Sequence, residues 1–235
     1  MSLWRKVLAE FIGTALLLAV VVGSGIMGAS LAGGSGAIAL LANAAATAAG
    51  LYVLIVLFGP ISGAHFNPLV TLAMRVHGEL SNREMVSYIV VQIVAAIAGV
   101  MLAHAMFGMP LIQPGTRVRA GVPQWISEGV ATYGLLLTIL LARAYRPAAV
   151  AALVAGYIFA AYWFTASTSF ANPAVTLARS LTQTFAGIRP QDVTGFVCAQ
   201  LVGAALGCVT AHALCAGARR SPRAPNEALG SNVAG

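Results

Sequence analysis

The sequence predicts an all-α membrane protein: six transmembrane helices plus two re-entrant half-helices, arranged as an inverted three-helix repeat. Three observations lead there. Only 8% of the 235 residues are charged while 59% are hydrophobic, against about 25% charged in a soluble domain. Six apolar segments approach the roughly 20 residues that a helix needs to cross a bilayer. Finally, Asn-Pro occurs at Asn67-Pro68 and Asn172-Pro173, each time before an apolar stretch too short to cross alone. A 64-residue run from Phe11 to Met74 carries no Asp, Glu, Lys or Arg. So few charges exclude a soluble enzyme, a disordered chain and a nucleic-acid binder.

The candidate spans fall at 7–31, 38–58, 86–107, 124–142, 148–164 and 193–216. Arg5-Lys6 ahead of the first has the look of a cleavable signal. Glu10 interrupts its start, however, and a second segment deeper in the chain opens the same way, so it reads as a retained helix. The linkers 59–83 and 165–191 open with apolar, Gly and Ser residues, unlike plain polar loops. The expected organisation is a first repeat at 1–110, an extracellular connecting loop at 111–123, a second repeat at 124–217 and a disordered cytoplasmic tail at 218–235. Cys198, Cys208 and Cys215 all lie in the last segment, where neighbours on one helix cannot pair into a disulfide framework. They read as small packing residues, with contact to a soft metalloid in transit as the other reading.

The halves repeat. Glu10 and Thr14 match Glu128 and Thr132; Asn67-Pro68-Leu69-Val70-Thr71-Leu72-Ala73 matches Asn172-Pro173-Ala174-Val175-Thr176-Leu177-Ala178; Gln92 and Gly99 match Gln200 and Gly207. Three spans per repeat is odd, so the second copy is inverted, which places a shared site near the midplane. Six crossings put both termini on one side. That side carries Arg5, Lys6, Arg75, Arg83, Arg143, Arg146, Arg219, Arg220 and Arg223, against Arg117, Arg119, Arg179 and Arg189 opposite. The excess makes the termini cytoplasmic, in a multi-pass protein of the plasma or inner membrane.

Asn favours the N-cap and Pro the first helical position, where its missing N–H is harmless. Each Asn-Pro therefore reads as a helix start. Two stretches of about ten residues, at 1.5 Å per residue, add up to about 30 Å, the hydrocarbon thickness. Their N-termini are expected to meet at the centre. Irregular backbone at that depth needs a protein shield or a wet cavity. The approaches containing Ala64 and His65, and Ser167 and Thr168, are thus expected to line a pore, with the Asn67 and Asn172 amides as donors in the middle. Helix dipoles aimed at that point disfavour a cation, while a neutral hydroxylated solute exchanges hydrogen bonds as it passes.

Glu10 and Glu128 fall inside the bundle. The reading adopted is loop support, accepting hydrogen bonds from the irregular backbone; proton coupling is the other. Gln92 and Gln200 read as bundle polars. His104 and His212 have no partner at ligand spacing, so neither a metal, a cofactor nor a catalytic group is expected.

These residues resemble the aquaporin, or major intrinsic protein, family. The likeness rests on Ala9-Glu10-Phe11 with Thr14, on Ser62-Gly63-Ala64-His65-Phe66-Asn67-Pro68, on Asn172-Pro173-Ala174 and on the repeat spacing. It implies a homotetramer with one pore per subunit. Two departures stand out. Leu69 occupies the third place of the first box, where Ala is usual. Val175 stands three residues after the second Asn, where the family usually has the Arg of its selectivity filter. Counting along the repeat puts the remaining filter positions at Thr47, Ala160 and Ser169, a ring with no aromatic residue, expected to be wide and mildly polar. Among relatives lacking that Arg, the chain is most similar to bacterial aquaglyceroporins of arsenic-resistance operons. Arg179 lies one turn beyond Val175. Either it partly replaces the missing charge at the vestibule, or it bonds the last carbonyls of its own half-helix.

The expected function is a passive channel for small uncharged solutes: glycerol-like polyols, arsenite and related metalloid hydroxides, with methylated arsenicals and water in range. The alternative is an ion-coupled secondary transporter, which inverted repeats and broken helices also build. No nucleophile–base pair or phosphate loop suggests an enzyme, and the only partners expected besides other subunits are small neutral solutes and the lipid bilayer.

Overall fold

The computed structural model describes residues 1–218; the expected tail lies outside the described residues apart from its first position. The described residues form eight α-helices: α1 (Leu3–Leu31), α2 (Gly36–Ser62), α3 (Pro68–Val76), α4 (Asn82–Met106), α5 (Val122–Tyr145), α6 (Val150–Phe164), α7 (Pro173–Arg179) and α8 (Val193–Ala218). Six spans are long and apolar enough to cross a membrane, and α3 and α7 are the two short helices.

Several helices run past the apolar segments that predicted them. Hydrogen bonding, not hydropathy, sets where a helix ends. α2 continues through Pro60 to Ser62, and Gly63 closes it in the left-handed conformation at φ 91°. The first turn of α4 is fixed by a capping box, with Ser81 Oγ accepting from the Glu84 backbone and Glu84 accepting from the Ser81 backbone. α7 has seven residues and α3 nine, so end to end they reach about 24 Å, short of the expected membrane thickness.

Packing follows the repeat. α1 lies against α2 and α4, and α5 lies against α6 and α8. α2 and α6 meet across the interface between halves, as do α3 and α7 at their ends. Close approach rests on particular glycines. A Cβ on Gly99 would lie 2.2 Å from the Ala15 carbonyl oxygen, and one on Gly203 would lie 2.1 Å from the Gly129 carbonyl oxygen. Small residues of this kind are how helices associate where lipid removes the hydrophobic driving force.

Candidate functional site

The two Asn-Pro elements are joined head to head. Asn67 Nδ2 donates to the Ala171 carbonyl at 2.8 Å, and Asn172 Nδ2 donates to the Phe66 carbonyl at 2.7 Å. Each side-chain oxygen caps its own helix: Asn67 Oδ1 accepts from Leu69 N, and Asn172 Oδ1 accepts from Ala174 N and Val175 N. A primary amide has two N–H donors, so one on each Asn remains for the cavity that both residues line.

Local backbone conformation makes the approaches. Gly63, Ala64 and Phe66 have positive φ, and so do Thr168, Ser169 and Ala171 at the corresponding places of the second loop. Left-handed backbone is costly for residues other than Gly. Two buried carboxylates hold it. Glu10 accepts from His65 N (2.9 Å), Phe66 N (2.8 Å), Ser62 Oγ (2.7 Å) and Gln92 Nε2 (2.8 Å). Glu128 accepts from Phe170 N (2.8 Å), Ala171 N (2.9 Å) and Gln200 Nε2 (2.6 Å). Gln92 also donates to Thr71, and Gln200 to Thr176. The networks match across the repeat in their two loop N–H groups and the glutamine, with Ser62 as an additional donor to Glu10 alone, although their members come from segments far apart in sequence.

A cavity of about 560 Å³ runs along the interface between halves. Gly59, Pro60, Arg143 and Pro147 border one end; Ala64, His65, Asn67 and Asn172 stand in its middle; Thr47, Tyr162, Ser169, Val175 and Arg179 border the other. Leu51, Ile55, Val154 and Ile158 make much of the remaining wall apolar. His65 Nδ1 pairs with Thr71 Oγ1 at 3.1 Å, which fixes the ring beside the cavity.

Four expectations need correction. Ala160 is exposed and off the cavity wall. The inner face of α6 runs through Val150, Val154, Ile158 and Tyr162, and two residues along a helix is about 200° around it. Tyr162 therefore faces inward, donating to Thr47 Oγ1 at 3.3 Å, and an aromatic side chain borders the cavity where none was expected. Ser167 and Thr168 also stand off this cavity. Ser167 is fully buried, its Oγ accepting from Ser169 N and its carbonyl from Arg119 Nη1. Arg179 is buried at 2% exposure on the cavity wall and does not bond the end of its own helix; its Nε donates to the Ala186 carbonyl. Pro68, Leu69, Pro173 and Ala174 sit behind the cavity, Leu69 within a core cluster.

Two residues that matter here were not anticipated. Tyr162 was legible in principle, because it continues the four-residue spacing of Val150, Val154 and Ile158. Arg119 was not, because its partners lie 48 and 68 positions away: Nη1 donates to the Ser167 carbonyl and Nε to the Gly187 carbonyl. Both arginines lie against Phe170, with Cζ 3.4 Å (Arg179) and 4.8 Å (Arg119) from the ring centroid. Burial first, then the neighbouring Arg179 and Arg117 guanidiniums, push Arg119 below the ordinary arginine value.

Comparison with known proteins gives a consistent result. The family model for major intrinsic proteins matches residues 1–167. Aquaglyceroporin AqpS of Rhizobium meliloti (strain 1021) is 54% identical over 203 residues, covering 86% of this chain and 87% of that protein. The lens fiber major intrinsic protein of Gallus gallus is 34% identical over 139 residues, 58% of this chain and 50% of that protein. The solved aquaglyceroporin from Plasmodium falciparum superposes with a TM-score of 0.76, covering 94% of this chain and 100% of that one; at 18% identity the likeness is one of fold.

Proposed function

The chain belongs to the major intrinsic protein family, and on that premise we propose that it is a passive channel for glycerol-like polyols and neutral metalloid hydroxides such as arsenite, with methylated arsenicals and water also in range. The observation that carries the reading is the cavity passing between Asn67 and Asn172, each amide keeping a donor for its contents. Polar groups in single file beside an apolar wall suit a solute with hydroxyls on one side and carbon or a soft element on the other.

The filter proposed is Thr47, Tyr162, Ser169 and Val175. Val175 removes the five-donor fork that an Arg would place there, which favours solutes larger than water. Glu10 and Glu128 accept three or four hydrogen bonds each, which supports loop holding over the ion coupling that a secondary transporter needs. The proposed assembly is a homotetramer with one pore per subunit, in the plasma or inner membrane with cytoplasmic termini, residues 1–110 and 124–217 being the two repeats and 111–123 their extracellular link.

The test is a proteoliposome panel with water, glycerol, urea and arsenite. Val175→Arg is expected to lower glycerol and arsenite flux about tenfold relative to water, the scale set by one well-placed polar group. Unchanged uptake of the larger solutes contradicts the filter, and flux that saturates and follows a proton gradient contradicts the channel.

A further inference from the structure

Resting on the channel reading, we infer that Arg179 supplies the cationic donor that Val175 leaves out, and that with Ser169 and Tyr162 it forms a subsite for the oxygens of small oxoacids. Arg179 is 2% exposed, yet it lines the cavity. It is anchored twice, by Nε to the Ala186 carbonyl and by its guanidinium plane on Phe170. Among the described residues its terminal Nη groups have no hydrogen-bond acceptor, and no carboxylate lies within 4 Å.

A second, independent unpaired group lines the same cavity. Ser169 is 3% exposed, lines the same end of the cavity, and its Oγ has no hydrogen-bond partner. The Tyr162 hydroxyl gives its proton to Thr47 and keeps its lone pairs. Buried polar groups in folded proteins are nearly always paired, so unpaired ones beside a cavity point to what passes through it.

The chemistry of the set defines the solute. A guanidinium only donates, in a planar fork that matches two oxygens on one centre. Serine accepts or donates, and Tyr162 accepts. The complement is a solute with unprotonated oxygens for Arg179 and a hydroxyl for Tyr162 or Ser169. An oxoacid, neutral or singly charged, carries both, whereas a polyol lacks the first. Arg119 places a second guanidinium against Phe170, and neither charge has a carboxylate partner within 4 Å among the described residues. The local potential therefore favours an anion over a cation. Val175 and Phe170 supply the apolar wall for a methyl substituent.

The probe is methylphosphonate, measured against glycerol on the full-length protein in proteoliposomes. The parent is expected to take up both. Arg179→Gln is expected to lower the methylphosphonate-to-glycerol flux ratio at least about fivefold, in line with a lost hydrogen bond to a charged group, and Arg179→Lys to restore part of it. Ser169→Ala is expected to lower the ratio about threefold on the same grounds, and it carries the test if Arg179→Gln does not fold. An unchanged ratio in these variants, or a parent that passes glycerol and excludes methylphosphonate, overturns the subsite and leaves the channel reading standing. A parent that passes neither glycerol nor water overturns the channel reading, and the subsite with it.

Discussion

At the residue scale, Glu10 and Glu128 explain how an irregular backbone survives inside a membrane bundle. Each carboxylate takes two consecutive loop N–H groups and a glutamine amide. In hydrocarbon those N–H groups would otherwise have no acceptor. Glu128→Ala strands Phe170 N, Ala171 N and the Gln200 amide together. Hydrogen bonds to a charged group are worth about 1.5–3 kcal/mol each, so thermal unfolding in detergent is expected to shift down by several degrees and flux to be lost. A variant with the parent's melting temperature contradicts the loop-support role. The pairing was legible in the sequence as two Glu at matched places. Which backbone groups they hold was not, because those lie 42 to 56 positions away.

The element scale concerns the two broken helices. The Asn caps and following prolines are local signals, and both half-helices begin where those signals put them. Their approaches hold a local conflict. Gly63 has φ 91°, and the corresponding position in the second loop, Thr168, has φ 61°. A β-branched residue is poorly suited to left-handed backbone, while Gly adopts it freely. The Thr168 side chain has only a 3.5 Å contact with Arg119 Nη1 in compensation. Thr168→Gly is therefore expected to stabilise the protein by up to about 1 kcal/mol, read as a rise in melting temperature. A fall shows that Thr168 contributes more through its contacts than its backbone costs. Helix ends were the least legible feature, since α2 and α7 stop where hydrogen bonds allow and not where hydropathy changes.

For the whole molecule, an even number of crossings places both termini on one side of the membrane whichever way the protein inserts. Tags at the N- and C-termini are expected to be accessible to the same compartment in intact cells. Tags on opposite sides contradict the six-span topology. Two ion pairs, Lys6–Glu84 at 2.8 Å and Arg143–Glu79 at 2.5 Å, link parts of the bundle that are distant in sequence. Being partly exposed, each is worth about 1 kcal/mol at most, so they are minor beside the glycine crossings at Gly99 and Gly203.

The amino-acid sequence alone determined the class, the number of spans, the inverted repeat and the two Asn-Pro helix starts. Each of these rests on composition, length or residues adjacent in the chain, and such signals survive without knowledge of the packing. The tertiary structure decided the cavity-bordering side chains that counting along the repeat misplaced or missed. Ala160 and Tyr162 are two residues apart yet face opposite ways, because rotation about a helix is fixed by what packs against it. Arg179 and Arg119 come together on Phe170 from separate segments for the same reason: contact between remote parts of a chain depends on the summed geometry of everything between them.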